Sequence, residues 1–419
     1  MIKPVPRRAQ RPHPTARARV AGARKVSGSS VQFFYFHLMP WPYLPADFDR
    51  RYTSSWVTLP NRLYDPRRGQ RLYNEYLDEL EYAERLGFDG LGVNEHHQSA
   101  YGTMPSPNLM AAALIRRTKR TKIAILGNAI ALRDRPLRVA EEIAMLDVLS
   151  GGRIISGFVR GIGCEHFSLG VNPTYSRERF YEAHDLIVRA WTEDGPFCFE
   201  GKHFRVRYAN IWPRPLQRPH PPIWLPSQGS SETIRFGAGH RYPFVTVFTS
   251  YEQTKRLLEE YKEQAERAGY RAAPEQLGLA IPTYVAETDA RARREAKPHL
   301  LWLFHRGLKI PPQFLGPPGY LSEESLLKFL STGLRPPSEL SFEELEAGGY
   351  ILIGSAATVR DRLKEMHQDL GFGIFIGGGR IGDMSHARAT KSAQLFAREV
   401  MPHFRGKKSG VRIPAPARR

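Results

Sequence analysis

Gly87-Phe88-Asp89-Gly90-Leu91-Gly92-Val93-Asn94-Glu95-His96-His97 is the stretch on which the fold is read. Phe88 to Val93 is short, apolar and glycine-punctuated, and it follows the helical pattern of Leu72 to Leu86. That is how a buried parallel strand of an α/β protein looks. In such folds chemistry sits at the carboxyl ends of the strands, where Glu95, His96 and His97 fall. Adjacent strand residues point to opposite faces, so one histidine of the pair faces the mouth and chelation by both is disfavoured. No His-Glu-x-x-His run or paired-cysteine spacing supplies a metal alternative. The reading is one functional histidine, one structural histidine and no metal.

Outward from this stretch, strand and helix patterns alternate. Val31 to Met39 is an aromatic first strand, and the loop Pro40 to Gln70 after it is too long for a simple connection. Pro107 to Thr118 reads as a helix, Lys122 to Ala131 as strand three, Pro136 to Leu149 as a helix and Arg153 to Val159 as strand four. Ser176 to Thr192 is a helix, and Phe197 to Trp212 a hairpin insertion turning at Glu200-Gly201-Lys202. Pro222 to Pro226, Phe244 to Thr249, Leu277 to Ala286 and Gly373 to Gly377 complete eight strands. Helices at Tyr251 to Ala268, Asp289 to Phe304 and Thr358 to Leu370 accompany them, and Arg306 to Gly349 is Pro/Gly-rich and irregular. Eight strands favour an α/β TIM (β/α)8 barrel with insertions over an open doubly wound sheet.

The net charge of +19 suggests nucleic acid until it is located. Residues 1–30 and 405–419 carry 14 basic side chains and no acid, leaving +5 for residues 31–404. Both ends are Pro-, Ala- and Arg-rich, so a disordered basic leader (1–30) and tail (405–419) are expected around a barrel domain (31–404), with an insertion or lid at about 306–349. The leader lacks the apolar spacing of a transit peptide and the apolar core of a secretory signal. Nucleic acid is not the expected partner. No run of about 18 apolar residues predicts a membrane span. Two cysteines, Cys164 and Cys198, exclude a disulfide framework and favour a reducing, cytoplasmic setting.

Six blocks then carry a resemblance. They are Asn94-Glu95-His96-His97, Lys122 to Ala129, Arg135 to Arg153, Gly157-Phe158-Val159-Arg160-Gly161, Asn172 to Phe180, and Ile353 to Val359. In this order and at this spacing the chain from about Val31 to Phe404 resembles the bacterial-luciferase-like flavin-dependent monooxygenases, TIM barrels with an insertion before the last strand. The resemblance implies reduced flavin mononucleotide (FMN) at the carboxyl end of the barrel, and His96 as the residue acting on the oxygenated flavin. An imidazole that titrates near neutrality suits that proton handling. Arg160 and Arg177 match arginines that the family places at the flavin phosphate, which a guanidinium fork suits. The turn Ser227-Gln228-Gly229-Ser230-Ser231 matches the family's phosphate turn, where backbone N–H groups of a helix start bind anions. Luciferases carry a glutamate where Ser227 stands. The competing structural reading of this turn is an ordinary serine N-cap. Asn128 is expected under the ring, bonding its polar edge.

Trp41 to Gln70 and Arg306 to Gly349 read as substrate-side segments, the second as a lid that keeps water from a reactive intermediate. No dinucleotide fingerprint stands between a strand and a helix, so reduced flavin is expected from a separate flavin reductase. The implied function is oxygenation of a small organic substrate with O2 by a two-component enzyme, as a homodimer. A coenzyme F420-dependent oxidoreductase of the same fold, or a non-catalytic flavin-binding protein, are the alternatives.

Overall fold

Residues 30–323, 327 and 335–405 are described by the computed structural model of the chain. Eight parallel strands close into a barrel. They are β1 (Gln32–Phe36), β2 (Gly90–Val93), β3 (Lys122–Ala129), β4 (Ile154–Val159), β5 (Ile223–Ser227), β6 (Phe244–Val247), β7 (Leu277–Ala280) and β8 (Ile374–Gly377). Around the barrel the order is 1-8-7-6-5-4-3-2. The TIM barrel expected from the sequence is the observed fold.

The glycines of the quoted stretch explain how the lumen fills. A Cβ at Gly90 would lie 2.1 Å from the Phe34 ring, and one at Gly92 would lie 2.9 Å from that of Phe36. Phe34 is paired with Gly90 across the strands and Phe36 with Gly92. Their rings therefore occupy space that side chains on β2 would take. Phe34 meets Trp224 of β5 edge-on at 4.9 Å between ring centroids, within a lumen cluster that includes Leu126, Ile155 and Ile376. This is a packed interior, as barrels of eight strands require.

Local chemistry sets the boundaries. The helix before β2 runs Pro66–Leu86, starting ahead of Leu72 because Asp65 caps the N–H groups of Arg67 and Arg68 at 2.8 and 3.2 Å. It ends at Gly87, whose φ of +87° is left-handed. Arg405, assigned to the tail from sequence, donates to the Gly87 carbonyl and lies 3.7 Å from Asp89. Residues 1–29 and 406–419 lie outside the described residues, as do the segments 324–326 and 328–334 of the expected lid.

The seventh strand is a correction. Leu277 to Ala286 is not one strand, because Pro282 has no N–H to continue the ladder. The barrel strand stops at Ala280, and Thr283–Ala286 pairs instead with Leu352–Ser355 in a separate two-stranded parallel sheet. The helix expected over Asp289 to Phe304 ends at Leu301 and passes into a π-helical turn, Trp302–Gly307. The insertion is also not wholly irregular, since short helices span Pro312–Leu315 and Phe342–Ala347. No helix among the described residues is long and apolar enough to cross a membrane.

Candidate active site at the barrel mouth

The chain leaves β2 as Asn94-Glu95-His96-His97, and the two imidazoles take different carboxylates. His97 Nε2 lies 2.8 Å from Glu95 Oε1. Glu95 is itself 3 % exposed and accepts from Arg133 and from the Ala129 backbone N–H. His96 turns the other way, with Nδ1 2.9 Å from Glu165 Oε1. Its ring stands edge-on to Trp56 and Tyr101, at 5.0 and 5.1 Å between centroids. Glu165, on the short helix Gly163–Ser168, is held in turn by the Ile162 N–H at 2.9 Å. A buried carboxylate on Nδ1 fixes ring orientation and leaves Nε2 for a reacting group. Sequence reasoning did not single out Glu165. Its only signal was its place four residues after Gly161 in a recognised block.

The two segments read as substrate-side meet at this histidine. Trp56 is fully buried and donates Nε1–H to the Gly307 carbonyl at 2.8 Å, which also accepts from Ser55 Oγ. Ser54 Oγ donates to the Lys309 carbonyl. The first loop is therefore hydrogen-bonded onto the π-helical turn, with Trp56 between that turn and the His96 ring.

On the β4 and β5 side stand the arginines. Arg160 follows β4; its Nη1 donates to the Tyr320 carbonyl at 2.6 Å and to Ser176 Oγ at 3.2 Å. Its guanidinium sits 4.0 Å from the centre of the Tyr320 ring. Arg177 Nη2 lies 3.1 Å from Glu232 Oε1, close enough for charge attraction but without an aligned hydrogen bond. Glu232 opens the helix Ser231–His240 and accepts from Ser322 Oγ at 2.6 Å. Burial alone would raise its pKa, but Ser322, a backbone N–H, the Arg177 charge and Ser230 together hold it down at about 2. His166 is buried against Tyr320, with both ring nitrogens lacking a hydrogen-bond partner among the described residues. Burial lowers its pKa to about 4, so it is neutral at pH 7.

The turn after β5 carries the serine N-cap read from the sequence. Ser230 is a helix N-cap, accepting from the Thr233 N–H at 3.2 Å, and Ser227 Oγ accepts from the Gly229 N–H. Gln228 gives its carbonyl to Gln253. Gly229 has φ of +110°, and a Cβ there would strike Leu257 at 2.5 Å. Ser231 is the first helical residue. The turn thus presents a helix N-terminus beside Arg177 and Glu232.

Asn128 is a correction. Ala124 and Leu126 face the lumen, and strict alternation would point Asn128 there too. Between β3 and β4, however, Ile125 pairs with Ser156 and Asn128 with Phe158, so three steps on β3 match two on β4. This one-residue bulge reverses the facing. Asn128 shares the outward face of Phe158, and its Nδ2 donates to Asn108 at 3.2 Å, which donates to Glu142. Asn128 Nδ2 is thus turned to the helix layer, while its buried Oδ1 has no hydrogen-bond partner among the described residues. Among the described residues no group of three or more His, Cys, Asp or Glu side chains is placed to hold a metal ion.

Comparison with known proteins follows this geometry. The luciferase-like monooxygenase family profile matches residues 54–372. The chain is 26 % identical over 356 residues to the oxygenase component of a flavin-dependent trigonelline monooxygenase from Acinetobacter baylyi, covering 82 % of this chain and 93 % of that one. Its fold is similar to that of the oxygenating constituent of 3,6-diketocamphane monooxygenase from Pseudomonas putida, solved with FMN. There the TM-score is 0.67 at 19 % identity, covering 89 % and 98 % of the two chains. A comparable likeness, TM-score 0.64 at 17 % identity over 90 % of this chain and all of the other, is to an F420-dependent secondary alcohol dehydrogenase.

The Arg177–Glu232 contact yields a pH prediction. Glu232 has a depressed native pKa, so its stabilising contribution is complete above the unfolded value and is lost as pH falls toward about 2. Arg177→Met should cost about 1–3 kcal/mol at pH 7. Denaturant unfolding at pH 7 and pH 3 should show that deficit smaller at the lower pH but not abolished, because Glu232 stays largely ionised above its native pKa. A deficit independent of pH would mean that the two side chains are not energetically paired.

Proposed function

The chain belongs to the luciferase-like monooxygenases, and from that premise we propose that it receives reduced FMN from a separate flavin reductase and uses O2 to oxygenate a small organic molecule. The observation carrying this reading is the division of the mouth into an anion pole and an imidazole–carboxylate pair. Arg160, Arg177 and the N-terminus of the helix Ser231–His240 converge on one side. His96, backed by Glu165, stands on the other, at the end of β2.

The residues fit a flavin phosphate. The buried Arg177 Nη2 has no aligned acceptor, and Arg160 donates only to a backbone carbonyl and a hydroxyl. Two guanidiniums against the one carboxylate of Glu232 leave a positive surplus for an anion. Of the turn Ser227 to Ser231, backbone N–H groups other than that of Gly229 would contribute, since the Gly229 N–H already donates to Ser227 Oγ and the Ser230 hydroxyl is used as a cap. Glu232 places a carboxylate in this turn, where luciferases have their glutamate a few residues earlier. Reduced FMN, when bound, supplies the two electrons that let one atom of O2 enter the substrate while the other leaves as water. His96 Nε2 holds or delivers the proton, with Glu165 keeping Nδ1 protonated. The Trp56 and Tyr101 walls keep water from the imidazole. Tyr320 and Ser322 cover the arginines as a strap, consistent with the insertion acting as a lid.

A second copy of the chain is the other partner proposed. Leu109 on Pro107–Arg117 and Met145, Val148 and Leu149 on Pro136–Ser150 are all exposed, on helices packed side by side. Such an apolar face suits an isologous dimer. Light scattering should give a dimer for the wild type and a monomer for Met145→Glu/Leu149→Glu; an unchanged dimer would place the interface elsewhere.

The cofactor reading is tested by titrating FMN, riboflavin and coenzyme F420, and by oxygen consumption with chemically reduced FMN across a substrate panel. Arg160→Ala should weaken FMN by about 10- to 150-fold and riboflavin far less. His96→Ala should bind FMN within about threefold of wild type yet lose product by about a hundredfold or more. Preference for F420, or equal losses for FMN and riboflavin, would contradict the assignment.

A further inference from the structure

His166 stands apart from the other buried histidines of the described residues. His37 uses both ring nitrogens, on the Met39 N–H and Glu79, and so does His184, on Asp185 and the Tyr242 hydroxyl. His166 is 2 % exposed, yet neither of its nitrogens has a hydrogen-bond partner among the described residues. Burying a polar group without a partner is unfavourable, so an imidazole kept in this state calls for a reason.

What lies against it is Tyr320 of the insertion. The two rings meet edge-on at 5.5 Å between centroids, and the Arg160 guanidinium is 4.0 Å from the centre of the same tyrosine ring. The tyrosine therefore fills a volume that an imidazole and a guanidinium both border. Its carbonyl accepts from Arg160 Nη1 at 2.6 Å, and its hydroxyl donates to the Gly161 carbonyl at 2.7 Å. The chain leading to it is closely fitted to the exit of β4. A Cβ at Gly163 would lie 2.3 Å from the Leu315 carbonyl, and one at Gly319 would lie 2.2 Å from Thr174 Oγ1. The charges acting on the imidazole are those of Arg160, Glu165 and Arg179. Arg179 is engaged by the carbonyls of Ala131 and Arg133, and Glu165 by His96 and the Ile162 N–H. Of the three, Arg160 is the one that can turn to a ligand. With the tyrosine displaced, the volume would be faced by a guanidinium fork and by the one N–H of a neutral imidazole, which are donors for an anion.

We propose that His166 is an anion-binding residue masked by Tyr320, which occupies the site from within the chain until a phosphate group displaces it from Arg160 and His166. That the phosphate is the one on FMN rests on the proposed function; that the site takes an anion rests on His166, Arg160 and Tyr320 alone. Tyr320 is then an internal competitor. Its displacement lowers the apparent affinity for a ligand that carries phosphate and leaves one without phosphate unaffected.

Chemical modification tests this without any flavin. The full-length protein and its Tyr320→Ala variant are treated with diethyl pyrocarbonate at pH 7, with and without inorganic phosphate, and each histidine is followed by peptide mass spectrometry. His166 should resist in the wild type and react at least about tenfold faster in the variant, while His37 and His184 resist in both and report an intact fold. Inorganic phosphate should protect His166 in the variant again. A variant in which His166 stays unreactive, or reacts equally fast with phosphate present, overturns the proposal. Titration then identifies the source of the phosphate. Tyr320→Ala should bind FMN about tenfold more tightly than the wild type and His166→Phe about tenfold more weakly, with riboflavin unchanged in both. His166→Phe keeps a packed ring, so it decides the matter if the alanine variant does not fold: FMN binding equal to wild type would overturn the proposal. Protection by inorganic phosphate without any preference for FMN over riboflavin would support the anion site and sink the cofactor reading, so the two fail separately.

Discussion

Everything at the mouth depends on Phe34 and Phe36 lying where β2 has no side chains. A residue larger than glycine at position 90 would sit 2.1 Å from the Phe34 ring, and packed interiors do not absorb such an overlap cheaply. With Gly90 and Gly92 in place, the β1 aromatics fill the lumen and β2 runs straight to Glu95 and His96. The same strand pair thus carries the chain to the imidazole at the end of β2.

Charge at the mouth is segregated by local pairing rather than by distance from the surface. Buried Arg380 and Glu79 neutralise one another, and Arg133 and His97 settle Glu95. Arg160 and Arg177 are different. Their donors meet a carbonyl, a hydroxyl and a poorly aligned carboxylate, so an incoming anion improves on what they have. A cation pole with spare donors on one side and an imidazole on the other suit a cofactor carrying a phosphate.

Much of this was legible in the sequence because the signals were local. Short apolar runs, glycine stops and proline starts gave the barrel, and the resemblance singled out His96 and Arg160, which follow β2 and β4 in the structure. What escaped depended on register or on groups far apart in the chain. The resemblance put Asn128 under a ring, and only the pairing to β4 reveals the bulge that gives it the face of Phe158. Pro282 was present in the string, but the separate strand pairing it causes needs Leu352–Ser355 from 70 residues away. Glu165 meets His96 across 69 residues, and the Arg380–Glu79 pair spans 301. No spacing rule could have announced either contact.

The most direct measurement is a crystal structure of the FMN complex. The account predicts phosphate oxygens within hydrogen-bond distance, about 3 Å, of both Arg160 and Arg177. It also predicts that the Arg160–Tyr320 carbonyl bond is exchanged for phosphate and that His96 stays on Glu165. A phosphate bound elsewhere, with Arg160 still on Tyr320 and Arg177 still on Glu232, would contradict it.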